Sequence, residues 1–118
     1  MATAKIIRTD IEYHPNLGCT SRVTSHVVQG NVDPANQKGC IDMMRIDCRD
    51  MLKKVTDATT DACFTDKDFT DTNAIKKSVM EDNNITVETS GKKDTLPWMR
   101  LQWDDEGELH YWSLLLDN

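Results

Sequence analysis

Polar and apolar residues alternate near the start of the chain. Within residues 5–13, Ile, Thr and Tyr side chains at positions 7, 9, 11 and 13 alternate with charged side chains at positions 8, 10 and 12. This period of two predicts a half-buried strand. A turn is predicted at residues 14–18, which hold a proline, an asparagine and a glycine. Residues 22–29 are rich in β-branched side chains and predict a second strand, which completes a hairpin.

After a predicted loop at residues 30–39, the apolar period changes from two to between three and four. Charged residues fill the opposite side of this segment, as in an amphipathic helix. The apolar positions are Ile41, Met44, Cys48, Met51, Leu52 and Val55. The spacing predicts a helix that begins at Cys40 and packs one side on a core.

The middle of the chain predicts a structured loop and then a short helix. Residues 56–73 alternate Thr and Asp, whose side chains bond their own backbone. A second helix is expected to run from there to about Glu81 and to stop at residues 82–84, Asp-Asn-Asn. The candidate N-cap residues are Asp71, Thr72 and Asn73.

The C-terminal third predicts three strands, at residues 85–89, 98–104 and 108–116. Residues 104–107, Asp-Asp-Glu-Gly, predict a turn closed by a glycine in the left-handed region, which joins the last two strands in a hairpin. Both faces of the last strand are apolar. Such a strand lies centrally in a covered sheet or is half covered by something outside the monomer.

These elements predict one α+β domain over residues 1–118. The sheet is expected to be mostly antiparallel with about five strands, in the chain order β-β-α-α-β-β-β, with the two helices packed on one face. A chain of 118 residues is long enough for one domain, and no period of 20 to 50 residues repeats in it.

The charge and hydropathy of the sequence indicate which classes of partner and which cellular compartment to expect. The net charge of −6 and the sequence pI near 4.9 argue against direct binding of nucleic acid through its phosphates. No apolar run approaches the roughly 18 residues that span a bilayer, so no membrane association is expected. The opening residues lack the apolar stretch of a signal peptide. A cytoplasmic protein is therefore expected, with a secreted mature form that has lost its leader as the alternative.

The cysteines leave three arrangements open. Cys19, Cys40, Cys48 and Cys63 can form two disulfides with three connectivities, or remain reduced as buried thiols. A zinc site ranks third because no C-x₂₋₄-C pair is present. Cys40 begins the predicted helix, where the helix dipole lowers the pKa of a thiol, so it is a candidate nucleophile if a histidine lies beside it.

Other sequence features give no catalytic, metal or cofactor motif. His14, His26 and His110 lie in no catalytic frame, and ordinary structural roles are expected for them. The Asp-rich stretch near residues 57–71 does not have the spacing of a calcium loop. No glycine-rich nucleotide motif occurs. We therefore expect no cofactor and no metal.

Aromatic residues concentrate near the C-terminus, where Trp98, Trp103, Tyr111 and Trp112 fall within 15 residues. If Met99, Leu101 and Trp103 face the helices, Trp98 faces outward, and an outward Trp112 would join it in an exposed apolar patch. Residues 60–118 also carry thirteen acidic residues against six basic ones. The predicted binding residues are Trp98, Arg100, Trp112, Asp104, Asp105 and Glu106.

Three functional hypotheses follow. The first is a small acidic, non-enzymatic protein-binding module, such as an inhibitor, an immunity-type protein or an adaptor. It would dock a protein partner, a basic one in particular, through the aromatic-rich hairpin and form a homodimer. The second is a small secreted effector or toxin held by two disulfides. The third is a small enzyme that uses Cys40 with a histidine, or His26 or His110 with an acid.

Overall fold

The described part of the chain forms a five-stranded antiparallel sheet with two helices on one face. The computed structural model describes residues 3–14, 19–57, 76–89, 99–105 and 107–117. Their elements are β1 (Ala4–His14), β2 (Cys19–Val32), α1 (Gln37–Asp57), α2 (Lys77–Asp82), β3 (Ile85–Thr89), β4 (Met99–Asp105) and β5 (Glu108–Leu116). The predicted α+β class, the antiparallel sheet and the chain order of the elements are confirmed.

The strands lie in the order β2-β1-β5-β4-β3, so the first and last strands of the chain are neighbours. The last strand, β5, occupies the middle of the sheet and pairs with β1 on one side and β4 on the other. This central place accounts for the apolar residues on both of its faces.

The hairpin of β1 and β2 is longer than predicted, because β2 continues through Gly30 and Asn31 to Val32. Val32 is buried and pairs with Ala4, while Gln29 pairs with Ile6. The extra residue on β2 forms an irregularity in the register, and Asn31 there has a φ of 55°. Asparagine tolerates this left-handed conformation, so the strand passes through a bulge where composition predicts a loop.

Helix α1 begins at Gln37, three residues before the predicted start. The side-chain oxygen of Asn36 accepts a hydrogen bond from the backbone N–H of Gly39 at 3.1 Å, which is the geometry of an N-cap. The predicted apolar side is confirmed: Met44, Cys48 and Leu52 are buried, and Cys40 one turn earlier extends the stripe. Neither helix in the described part of the chain is long and apolar enough to cross a membrane.

Helix α2 begins at Lys77, after an extended Lys76 that makes no side-chain cap. The candidate caps at residues 71–73 lie outside the described residues. The predicted end of the helix is confirmed, because Asn84 has a φ of 59° and Asn83 donates a side-chain hydrogen bond to the Val79 carbonyl oxygen at 2.9 Å.

One apolar core lies between the helices and the sheet. Met44 of α1 and Met80 of α2 belong to the same buried cluster as the sheet residues, so both helices pack on the same face. The sheet contributes Ala4, Ile6, Val32, Ile85, Met99, Leu101, Trp103 and Trp112 to this cluster. Burial of these side chains is the main favourable contribution to folding.

The turn between β4 and β5 is shorter than predicted, because the strands pair as far as Asp105 and Glu108. Gly107 has a φ of 76°, which confirms the predicted left-handed glycine. A side chain at this φ is strained, whereas glycine adopts it freely.

Replacement of Gly107 tests this turn. We expect Gly107→Ala to lower the free energy of unfolding by about 1 kcal/mol because of the positive φ. Gly30→Ala is the matched control, since a Cβ there meets no atom within 4 Å. Urea unfolding of both variants measures the difference, and equal losses at the two positions would contradict the assignment.

Candidate functional site

A partly buried carboxylate joins α1 to the neighbouring strands β1 and β5. Trp112 of β5 is fully buried, and its indole N–H donates a hydrogen bond to Asp47 Oδ2 at 2.7 Å. Arg8 of β1 donates from Nη1 to the same oxygen at 3.0 Å. These three residues, Trp112, Asp47 and Arg8, form what we call the Asp47 clasp. The Asp47 carboxylate thus provides a hydrogen-bond acceptor for an indole N–H that has no access to water.

The clasp corrects the expectation that Trp112 faces outward. Trp112 pairs with Leu101 across β5 and β4, and directly paired residues project from the same face of a sheet. Leu101 faces the helices, so Trp112 does too. Trp112 is therefore a core residue and not a surface anchor.

The remaining predicted binding residues do not gather on one surface. Arg100 lies on the face away from the helices, with its guanidinium 4.6 Å from the centre of the Tyr111 ring. Asp104 is exposed on that same face, whereas Asp105 lies on the helix-facing side with Trp112. Trp98 and Glu106 lie outside the described residues.

Beyond the clasp, the helix-facing side of the sheet carries a polar cavity of about 300 Å³. It lies next to the turn between β4 and β5 and draws its walls from β1, β2 and β5. Its lining residues are Asp10, Ile11, Glu12, Arg22, Thr24, His26, Glu108 and His110. No sequence motif indicates this set, because its members come from three strands and are brought together only by the sheet.

Asp10 is the centre of the hydrogen bonding in this cavity. It lies 2.7 Å from His110 Nδ1, 3.1 Å from His26 Nε2 and 3.3 Å from Arg8 Nε. Burial raises the pKa of Asp10, but the hydrogen bond from His110 and the charge of Arg8 outweigh burial and hold this pKa below its usual value. Because an ionised carboxylate only accepts, His110 Nδ1 carries a proton and donates it.

The other nitrogen of His110 faces two more carboxylates. Nε2 lies 3.2 Å from Glu108 Oε2 and 3.9 Å from Asp105 Oδ2. The ring is almost wholly buried, with Trp103 5.0 Å away between ring centres. We call Asp105, Glu108 and His110 the His110 triad. The sequence predicts an ordinary structural role for His110, because its two acidic neighbours come beside it only through the strand register.

The two described thiol side chains are core residues. Cys40 and Cys48 are free and buried, and Cys40 Sγ–H donates to the Asp33 carbonyl oxygen at 3.4 Å. They lie eight residues apart on one helix, about 12 Å along its axis, which is too far for a disulfide. Two disulfides would require both of these free thiols, so the structure does not favour that arrangement. Cys63 and the side chain of Cys19 lie outside the described part.

The structure also corrects the pKa expected for Cys40. Burial, and then the nearby charge of Asp33, raise the pKa of this thiol instead of lowering it. Burial also raises the pKa of Cys48, with Asp47 as the second cause. A raised pKa disfavours the thiolate, which is the reactive form.

Comparison with known proteins assigns neither the cavity nor the sheet surface. No protein-family model matches the chain, no curated protein matches it, and no solved structure matches it. The geometry of the described residues is therefore the basis for a functional proposal.

Removal of the clasp carboxylate is expected to destabilise the fold. Asp47→Ala leaves the Trp112 indole N–H buried without a partner, so we expect a loss of about 2 kcal/mol in the free energy of unfolding. Asp50→Ala on the same helix is the control, because Asp50 is exposed and bonds its neighbour Arg49. That change should cost no more than about 0.5 kcal/mol. Equal costs in denaturant unfolding would show that the clasp is not stabilising.

Thiol reactivity tests the placement of Cys40 and Cys48. In the native protein at neutral pH, both should alkylate far more slowly than a model thiol, because each is buried and has a raised pKa. Unfolding in denaturant should abolish this protection. Peptide mapping by mass spectrometry locates the label, and native Cys40 labelling as fast as the model thiol would contradict its place in the core.

Proposed function

We propose that the protein is a small non-enzymatic protein-binding module that docks through the open face of its sheet, the side away from α1 and α2. The observation that carries this proposal is the exposure of apolar side chains across three strands. Val27 is 62% exposed, Val23 57%, Leu115 56% and Tyr13 43%. Exposed apolar surface that is contiguous marks interaction sites in soluble proteins.

Strand register connects Val27 and Val23 through side chains of β1 and β5, whereas Leu115 lies opposite Lys5. Val27 of β2 pairs with Ile7 of β1, and two residues further along Val23 pairs with Ile11. Each such pair extends across β1 into β5 as a row of three side chains; Ile11, for example, also pairs with Leu109 of β5. The central row is Ser25, Thr9 and Tyr111. We call these three rows the apolar strip; its members are Val27, Ile7 and Ser113, then Ser25, Thr9 and Tyr111, then Val23, Ile11 and Leu109.

The charge pattern of this face supports a second copy of the chain as the partner. All members of the apolar strip are uncharged, so two strips can meet without the repulsion that the net charge of −6 imposes on the acidic surfaces. A two-fold axis would bring the same patch of each copy together, as two sheets packed face to face about 10 Å apart. We therefore propose a homodimer built on the apolar strip.

A different protein with an apolar surface and a basic rim is the alternative partner. Asp104 is exposed beside Leu109 on the open face, and a basic rim would complement its charge. We also propose a cytoplasmic location, since the free thiols of Cys40 and Cys48 suit a reducing compartment.

The oligomeric state of Val27→Asp tests the proposal. We expect the wild-type chain to sediment as a dimer and Val27→Asp as a monomer, because the substitution places a charge within a buried interface. Met43→Asp is the matched control, since Met43 is an exposed apolar residue on α1, away from the open face. Sedimentation equilibrium gives the masses, and circular dichroism verifies that each variant is folded.

Two results would contradict this function as stated. A wild-type chain that remains monomeric at its highest soluble concentration excludes a second copy as the partner. A dimer that survives Val27→Asp but dissociates with Met43→Asp places the interface on the helical side.

A further inference from the structure

We propose that the His110 triad binds one divalent transition-metal ion, for which Zn²⁺ is the probe. This site is separate from the apolar strip, because the triad projects from the helix-facing side of the sheet and the strip from the open face. The proposal departs from the sequence expectation that no metal is bound.

The spacing of the three ligand atoms fits a shared ion. His110 Nε2 lies 3.2 Å from the Glu108 oxygen and 3.9 Å from the Asp105 oxygen, and all three atoms lie within 4.8 Å of one another. An ion held at about 2.1 Å in tetrahedral geometry separates neighbouring ligand atoms by about 3.4 Å. Side-chain rotations that move these atoms by about 1 Å would therefore close the site.

The orientation of His110 is the second observation that points to a cation. Asp10, which is outside the triad, takes the Nδ1 proton and fixes the ring with Nε2 directed at Glu108 and Asp105. Nε2 is therefore the ring nitrogen that is directed at the two carboxylates and available to an ion bound between them. A carboxylate behind a metal-binding histidine is the usual outer-shell arrangement at such sites.

The register of the sheet gives an electrostatic reason to expect a bound cation at the His110 triad. Glu108 pairs directly with Glu12 on one side and with Asp105 on the other, so three carboxylates lie in one row across β1, β5 and β4. Arg22 of β2 continues this row opposite Glu12, so the repulsion that a cation would relieve is greatest between Glu108 and Asp105. Like charges directly opposite each other destabilise a sheet. A bound divalent cation would offset this repulsion.

The ligand types select the class of metal. One imidazole with two carboxylates suits Zn²⁺ or Mn²⁺, whereas Ca²⁺ and Mg²⁺ prefer oxygen ligands alone and Cu⁺ prefers sulfur. The cavity of about 300 Å³ beside the triad leaves room for water to complete the coordination. Such a site keeps a position open to an exogenous ligand.

Zn²⁺ titration of the full chain tests the site. We expect one Zn²⁺ per chain by calorimetry, and Asp105→Asn should weaken the affinity by about tenfold or more. Asp104→Asn is the matched control, because it removes the same charge one residue away but on the open face. Its affinity should equal that of the wild type. Ca²⁺ in place of Zn²⁺ should bind far more weakly.

Histidine side-chain NMR provides a readout that does not depend on affinity. Zn²⁺ should shift Nε2 of His110 and leave Nδ1 protonated, while Asp10→Asn should weaken binding by about 10- to 100-fold. Equal affinities for Asp105→Asn and Asp104→Asn, as a cysteine site or diffuse acidic binding would give, would overturn the proposal. So would a Zn²⁺-induced shift at His26 without one at His110. Neither result bears on the proposed dimer, which is tested separately by the molecular mass of the protein in sedimentation equilibrium.

Discussion

The Asp47 clasp is the contact on which the rest of the structure depends. A buried indole N–H and a partly buried guanidinium converge on one carboxylate oxygen, and each would be costly to leave without a partner. Apolar packing alone allows neighbouring registers of a helix on a sheet, because Met and Leu side chains of similar volume replace each other at small cost. A directional contact from the middle of α1 to β1 and β5 specifies one of these registers.

The same contact connects the packing of α1 to the polar cavity. Arg8 donates to both Asp47 and Asp10, and Asp10 in turn fixes the ring of His110. The direction in which His110 Nε2 points is therefore set by residues that the core already holds in place. A ligand group supported in this way needs little reorganisation to bind.

Periodicity was sufficient to predict the types and the order of the elements, but the contents of the cavity depend on strand register. Both faces of β5 are apolar, so hydrophobicity could not indicate which alternation of β5 joins the core. The pairing of Leu101 with Trp112 decides it, and the same register places Asp105 beside Glu108. Asn31 shows a second limit of prediction from sequence. The polar composition around it predicts a loop, but the residue lies in a strand, where it adopts a positive φ at a bulge.

Strand β5 supplies both proposed sites with alternate residues. Glu108 and His110 project toward the helices, while Leu109 and Tyr111 between them project to the open face. Because the strand is central and paired on both sides, local unfolding of either site requires the loss of pairing in the other. Ligands bound at the two proposed sites would therefore stabilise the same folded strand. Their contributions to the free energy of unfolding would add, since each would bind only the folded state and they share no side chain.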